Sequence, residues 1–161
     1  MLNTLPDAMK ICQATTPDEI AQVRSLFAEY AAWLKVDLCF QGFATELAGL
    51  PGAYTPPRGR LLLALAGDDV KGCIALRSLD GRICEMKRLF VRPAFRGQGI
   101  GRLLAEKIIA EARAIGYATI KLDTLPSMLA ATRLYESLGF VRCGAYYDTP
   151  LANTIFMELK L

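Results

Sequence analysis

The run FRGQGIGRLLAEK, residues 95–107, sets glycine at 97, 99 and 101 against the start of an apolar-periodic helix, with Arg96 and Arg102 beside them. Glycine leaves backbone N–H groups unhindered, and a helix N-terminus carries roughly half a positive charge. With flanking guanidinium groups this is chemistry for holding an anion, and a pyrophosphate in particular. The plainer reading, a tight strand-to-helix turn, needs only one or two glycines. Gly101 inside the first helical turn costs up to ~1 kcal/mol against alanine, so anion binding accounts for the pattern better.

Two nucleotide motifs do not fit. A dinucleotide fingerprint GxGxxG beginning at Gly97 requires glycine at 102, where Arg102 stands, and it opens a parallel strand-helix-strand run, whereas three antiparallel strands are expected before this loop. The mononucleotide loop GxxxxGK[ST] fails because no Gly-Lys-Ser/Thr follows at the required distance.

The remaining inventory narrows the chemistry further. The chain has no histidine, which removes Ser-His-Asp and Cys-His catalysis, the common zinc ligand sets and a histidine base. Acid-base work falls to Glu, Asp, Tyr, Lys, Cys or water. Five cysteines, at 12, 39, 73, 84 and 143, are odd in number and form no CxxC pair, the pattern of reduced thiols, so neither disulfides nor a metal is expected. A net charge of +3 is too small to argue for nucleic acid. Lys87, Arg88, Arg92, Arg96 and Arg102 nevertheless share one short stretch without an acidic residue, either a local anion site or a solvated face.

The elements that must position these groups follow from the pattern. With 161 residues, 53% hydrophobic and 22% charged, a single globular domain over residues 1–161 is expected. The longest apolar run, Leu61 to Ala66, is far from the ~20 residues of a membrane span. The start MLNTLPDAMK lacks the basic region and apolar core of a leader, so a cytoplasmic location is expected.

A strand near Lys10 to Thr15 precedes a helix with Thr16 as N-cap, Pro17 first and Glu19 closing a capping box. A short helix is expected around Ala44 to Leu50, within an irregular region, 36–58, that suits a variable substrate-facing segment. Strands at 60–66, 70–79 and 83–91 form an antiparallel meander, and Gly99 to Ile115 is a helix that Gly116 terminates. A strand at 118–124 then makes a parallel pair by a right-handed crossover. A helix over Ser127 to Leu138, with Ser127 as its N-cap, and a closing hairpin of 140–147 with 154–161 complete a mixed α/β sheet of about seven strands flanked by helices.

CEMKRLFVRPAFRGQGIGRLLAE, with Arg96-x-x-Gly99-x-Gly101, and ATRLYESLGF further on resemble the GNAT superfamily of N-acetyltransferases over nearly the whole chain. The resemblance implies the GNAT fold, with a mostly antiparallel sheet, one central parallel pair and about four helices. It implies acetyl-CoA as donor, its pyrophosphate on the N–H groups of Arg96, Gly97, Gln98, Gly99, Ile100, Gly101 and Arg102. Its pantetheine arm would pair along Leu89, Phe90 and Val91, in a cleft where strand 83–91 splays from strand 118–124. The acceptor is an amine, expected to belong to a small molecule attacked directly in a ternary complex. A protein N-terminus or lysine, or a CoA-binding sensor without catalysis, are the alternatives. Dimers are common among similar proteins, so a homodimer is one expectation.

Acetyl transfer needs a neutral nitrogen, a stabilised oxyanion and a protonated leaving thiolate, and an alkyl ammonium has a pKa of about 10.4. Glu85 is the first candidate base, matching the place of a glutamate in some family members. The rival account is a solvated carboxylate or an ion pair with Lys87 or a neighbouring strand's arginine. Asp123 is the second candidate. The resemblance makes Tyr135 the general acid for the thiolate, with a plain core tyrosine as its rival. Backbone N–H groups around Leu89 and Phe90 are the expected oxyanion donors. Trp33, Phe40, Phe43 and Tyr54 can line an acceptor pocket or belong to the core.

Overall fold

Thr16 ends the first strand region and starts α1 (Pro17–Leu34), and the expected capping box is complete: the Glu19 N–H donates to Thr16 Oγ1 at 3.1 Å and the Thr16 N–H to Glu19 Oε1 at 3.0 Å. The Thr16 and Thr15 N–H groups, both donating to Glu19 Oε1, hold the Glu19 carboxyl below its ordinary pKa. The computed structural model describes residues 8–161, so residues 1–7, most of the stretch read against a leader, lie outside it.

Seven strands form one sheet: β1 (Lys10–Gln13), β2 (Arg60–Ala66), β3 (Asp69–Asp80), β4 (Ile83–Val91), β5 (Thr119–Thr124), β6 (Val141–Arg142) and β7 (Ile155–Lys160). Their order is β1-β2-β3-β4-β5-β7-β6, and only β4 and β5 run parallel. That pair is joined by α3 (Ile100–Ile115), which Gly116 ends at φ 106°, a left-handed conformation glycine adopts without steric cost. Two smaller helices, α2 (Phe43–Ala48) and α4 (Leu129–Ser137), complete the described α-helices.

Period-two alternation divides the core between two faces of the sheet. Leu104 and Ile108 of α3 pack with Ile120 and Leu122 on one face. On the other, Val23, Leu26 and Phe27 of α1 pack with Leu61, Leu63 and Ala75. Tyr54 and Phe43 join this second cluster, Tyr54 edge-on to Phe27 at 6.1 Å, so both are core rather than pocket walls.

The expected opening in the sheet has a plain origin. β4 and β5 pair only where Ile83–Glu85 face Thr119–Lys121. Beyond Glu85, β4 stays with β3 through a bulge whose extra residue, Arg88, is left-handed at φ 60°, while β5 follows β7 to its end. The two strands diverge and leave the edge of β4 from Met86 to Val91 without a partner on that side.

Two expectations at the C-terminal end need correction. α4 begins at Leu129 with Met128 as N-cap and no side-chain cap bond, so Ser127 does not cap it. The closing hairpin keeps only Val141–Arg142 of its first strand, extended by one bond from the Cys143 N–H to Phe156 O. After that the chain leaves the edge, because Tyr146 and Tyr147 pack edge-on to Phe156 at 5.3 and 5.4 Å and bury their hydroxyls against β4 and β5.

Candidate active site

Three open spaces follow one another along β4. The first is a groove of about 290 Å³ between the free edge of β4 and the start of α4, walled by Leu89, Phe90 and Val91 and closed by the glycine loop. Arg96, Gly97, Gly99, Ile100 and Gly101 line it, whereas Gln98 and Arg102 lie outside the lining and are exposed. Gly97 and Gly99 are left-handed at φ 79° and 78°, so this loop requires glycine at both. Gly101 is not left-handed, and a Cβ there would meet Leu134 and Val91 only at ordinary contact distance. No side chain caps α3, and its first turn holds no acidic residue, which leaves its N–H groups and positive end facing outward.

The basic stretch resolves into different roles. Arg96 lies along the groove, donating from Nε to Val91 O at 2.9 Å with its guanidinium 4.5 Å from the centre of the Trp33 ring. Arg92 pairs with Glu29 at 2.8 Å and Arg102 bonds Ser137 Oγ at 2.5 Å. Buried Arg88 makes a two-point contact with Glu46, Nε to Oε2 at 3.0 Å and Nη2 to Oε1 at 3.2 Å. Burial opposes its charge, but the Glu46 bonds outweigh it and hold the guanidinium above its ordinary pKa.

The second space is a slot of about 40 Å³ where β4 and β5 part. It meets the groove at Leu89 and Met128, which border both. Tyr135 and Asp123 also line it. Tyr135 is 6% exposed and packs against Phe140, its ring centre 5.8 Å away, and its hydroxyl has no hydrogen-bond partner among the described residues. Burial pushes its pKa up, so the phenol stays protonated through the neutral range.

The third space, a cavity of about 220 Å³, meets the slot at Gln41 and Lys87. Glu85 stands in its wall, 1% exposed, and both oxygens are taken. Oε1 receives Arg77 Nε at 2.8 Å with Lys87 Nζ 3.7 Å away, and Oε2 accepts from the Tyr146 hydroxyl at 2.6 Å. Glu85 is therefore not a solvated carboxylate; it has both ion pairs named as the rival account. Tyr147 donates to Asp123 Oδ2 at 2.5 Å and accepts from Gln41 Nε2 at 3.5 Å. Burial first, and then the carboxylate beside each, raise both phenols well above the ordinary range.

Arg77, Gln41, Tyr146 and Tyr147 were not singled out in the sequence. The adjacent tyrosines fell inside a segment that reads as strand, and Gln41 reaches Tyr147 across 106 positions. The run of tyrosines after Gly144 was the only local signal.

The model of the acetyltransferase (GNAT) family matches residues 21–140. An uncharacterized N-acetyltransferase of Schizosaccharomyces pombe is 37% identical over 97% of both chains. The N-acetylaspartate synthetase of Danio rerio is 35% identical over 66% of this chain and 39% of its own length. A Salmonella typhimurium protein described as an acetyltransferase, solved with its cofactor acetyl-CoA, superposes with a TM-score of 0.73 at 23% identity, covering 96% of this chain and 94% of that one.

Proposed function

The chain belongs to the GNAT acetyltransferase family, and from that premise we propose that it transfers the acetyl group of acetyl-CoA to a primary amine of a small molecule, by direct attack in a ternary complex. The observation that carries this reading is the continuity of the three spaces. Leu89 joins groove to slot and Lys87 joins slot to cavity, two residues apart on one strand, so donor and acceptor meet from opposite ends. The volume of the acceptor side suits a small molecule, and the N-acetylaspartate synthetase relative points the same way.

In this reading the pyrophosphate rests on the N–H groups from Arg96 to Arg102, and pantetheine pairs along Leu89–Val91. The thioester reaches the slot. The amine lone pair attacks the carbonyl carbon, backbone N–H groups near Leu89 and Phe90 receive the oxyanion, and the C–S bond breaks. Tyr135 offers its proton to the sulfur as charge develops there. After attack the nitrogen is cationic and loses its proton. Asp123, on the slot with Oδ1 free of side-chain partners among the described residues, is placed to take it. Glu85, whose oxygens are both engaged, then serves to hold Arg77 and Lys87, and remains the alternative base.

Thermal shift with acetyl-CoA, followed by thiol release with small amines and with peptides, tests the proposal. A stabilisation by acetyl-CoA is expected because a ligand bound only to the folded state raises its stability. No shift removes the donor assignment, and thiol release with peptides alone moves the acceptor to a protein.

A further inference from the structure

The hydrogen-bond balance around the third cavity is uneven. Acceptors are used up: Glu85 by Arg77, Lys87 and Tyr146, and Glu46 by Arg88 at both oxygens with Tyr54 added at 2.9 Å. Donors are in surplus. Arg77 spends only Nε and keeps both terminal amino groups without a partner among the described residues, with 37% of its side chain exposed. Lys87, 8% exposed, has only long contacts, 3.5 Å to Gln41 Oε1 and 3.7 Å to Glu85. An ammonium with three N–H groups and no close partner is costly to bury.

Charge gives the same answer. Arg88 and Glu46 form a closed pair, and Asp123, which shares the slot with Lys87, has one oxygen taken by Tyr147. Arg77 is left with Glu85 as its carboxylate partner, and both Glu85 oxygens are engaged. An incoming carboxylate would accept from both Arg77 and Lys87, whereas a polyamine would meet two cations and no free carboxylate oxygen on the cavity wall.

We infer that this cavity binds a carboxylate of the acceptor through Arg77 and Lys87, so that the substrate is an amino acid whose amine points past Lys87 into the slot. The inference rests on the acetyl-transfer reading above for the amine end, while the carboxylate site stands on the cavity alone. Arg77 presents a planar pair of N–H groups suited to a carboxylate, and Lys87 closes the other side as a point charge.

The test compares acceptors that differ only in the anionic group: glycine with glycinamide, aspartate with its diamide, and spermidine and phosphoethanolamine as further arms. The acids should exceed their amides in kcat/KM by at least ~10-fold, the range of a hydrogen bond to a charged group. Arg77→Gln and Lys87→Met should raise KM for the acid and close that ratio, with KM for acetyl-CoA unmoved. Equal use of acids and amides, preference for spermidine or phosphoethanolamine, or variants that depress acid and amide alike would overturn the inference. Should acetyl-CoA neither bind nor be consumed, the donor reading fails by itself. The cavity is then read by thermal shift with millimolar aspartate, expected to stabilise the wild type and not Arg77→Gln; no stabilisation of the wild type rejects the carboxylate site.

Discussion

Arg77 and Glu85 stand opposite each other in the β3–β4 register, and Arg77 Nε donates to Glu85 Oε1 at 2.8 Å. Glu85 is thereby fixed at the junction of two cations and a tyrosine, while Asp123, one strand away, keeps an oxygen toward the slot. The two carboxylates thus have different surroundings.

Asp123→Asn is expected to lower kcat by ~100-fold, the usual contribution of a positioned base. Glu85→Gln should mainly raise KM for the acceptor, because it loosens Arg77 and Lys87. Steady-state kinetics across pH separate them, and the opposite pattern would put the base at Glu85.

Tyr135→Phe removes one oxygen that has no partner among the described residues, so the fold should tolerate it. The expected outcome is a kcat lower by at least ~10-fold with acetyl-CoA affinity unchanged, as for a group that acts only in the transition state. An unchanged kcat would make Tyr135 a packing residue.

Gly99→Ala places a side chain at φ 78° and should cost about 1–2 kcal/mol in urea unfolding, together with weaker acetyl-CoA binding. Gly101→Ala meets Leu134 at 3.8 Å and Val91 at 3.9 Å without a left-handed backbone, and should be neutral or more stable by up to ~1 kcal/mol. Equal losses at the two positions would contradict this.

Burial draws the Lys87 ammonium below its ordinary pKa of 10.5, against the pull of Glu85. Between the lowered folded value and 10.5 the unfolded chain binds more protons, so this group makes stability rise with pH; below that window its full cost is present. Lys87→Met should therefore be more stable than the wild type at neutral pH, and the gain should shrink as pH approaches 10.5. Urea denaturation at several pH values checks the sign.

Glu46→Ala leaves Arg88, with 3% of its side chain exposed, as an uncompensated charge on a left-handed bulge. A loss of about 3 kcal/mol is expected for removing one member of such a buried pair, measured by chemical denaturation.

Much of this molecule is local and was open to reading. The Thr16–Glu19 capping box, the Gly116 stop and the meander from Arg60 to Val91 depend on residues within a few positions of one another, and the sheet of seven strands follows from their order. The shape of the glycine loop was legible because a left-handed turn into an uncapped helix is written in Gly97 and Gly99 themselves. The site beyond Lys87 was not legible in that way. A strand pattern says that Glu85 and Lys87 share a face, but not that Tyr146 would abandon an edge ladder to bond Glu85, nor that Gln41 would bridge Lys87 and Tyr147. Periodicity is a property of neighbours in sequence, whereas the balance of donors and acceptors in a cavity is set by segments far apart in the chain, brought together only when the sheet opens between β4 and β5.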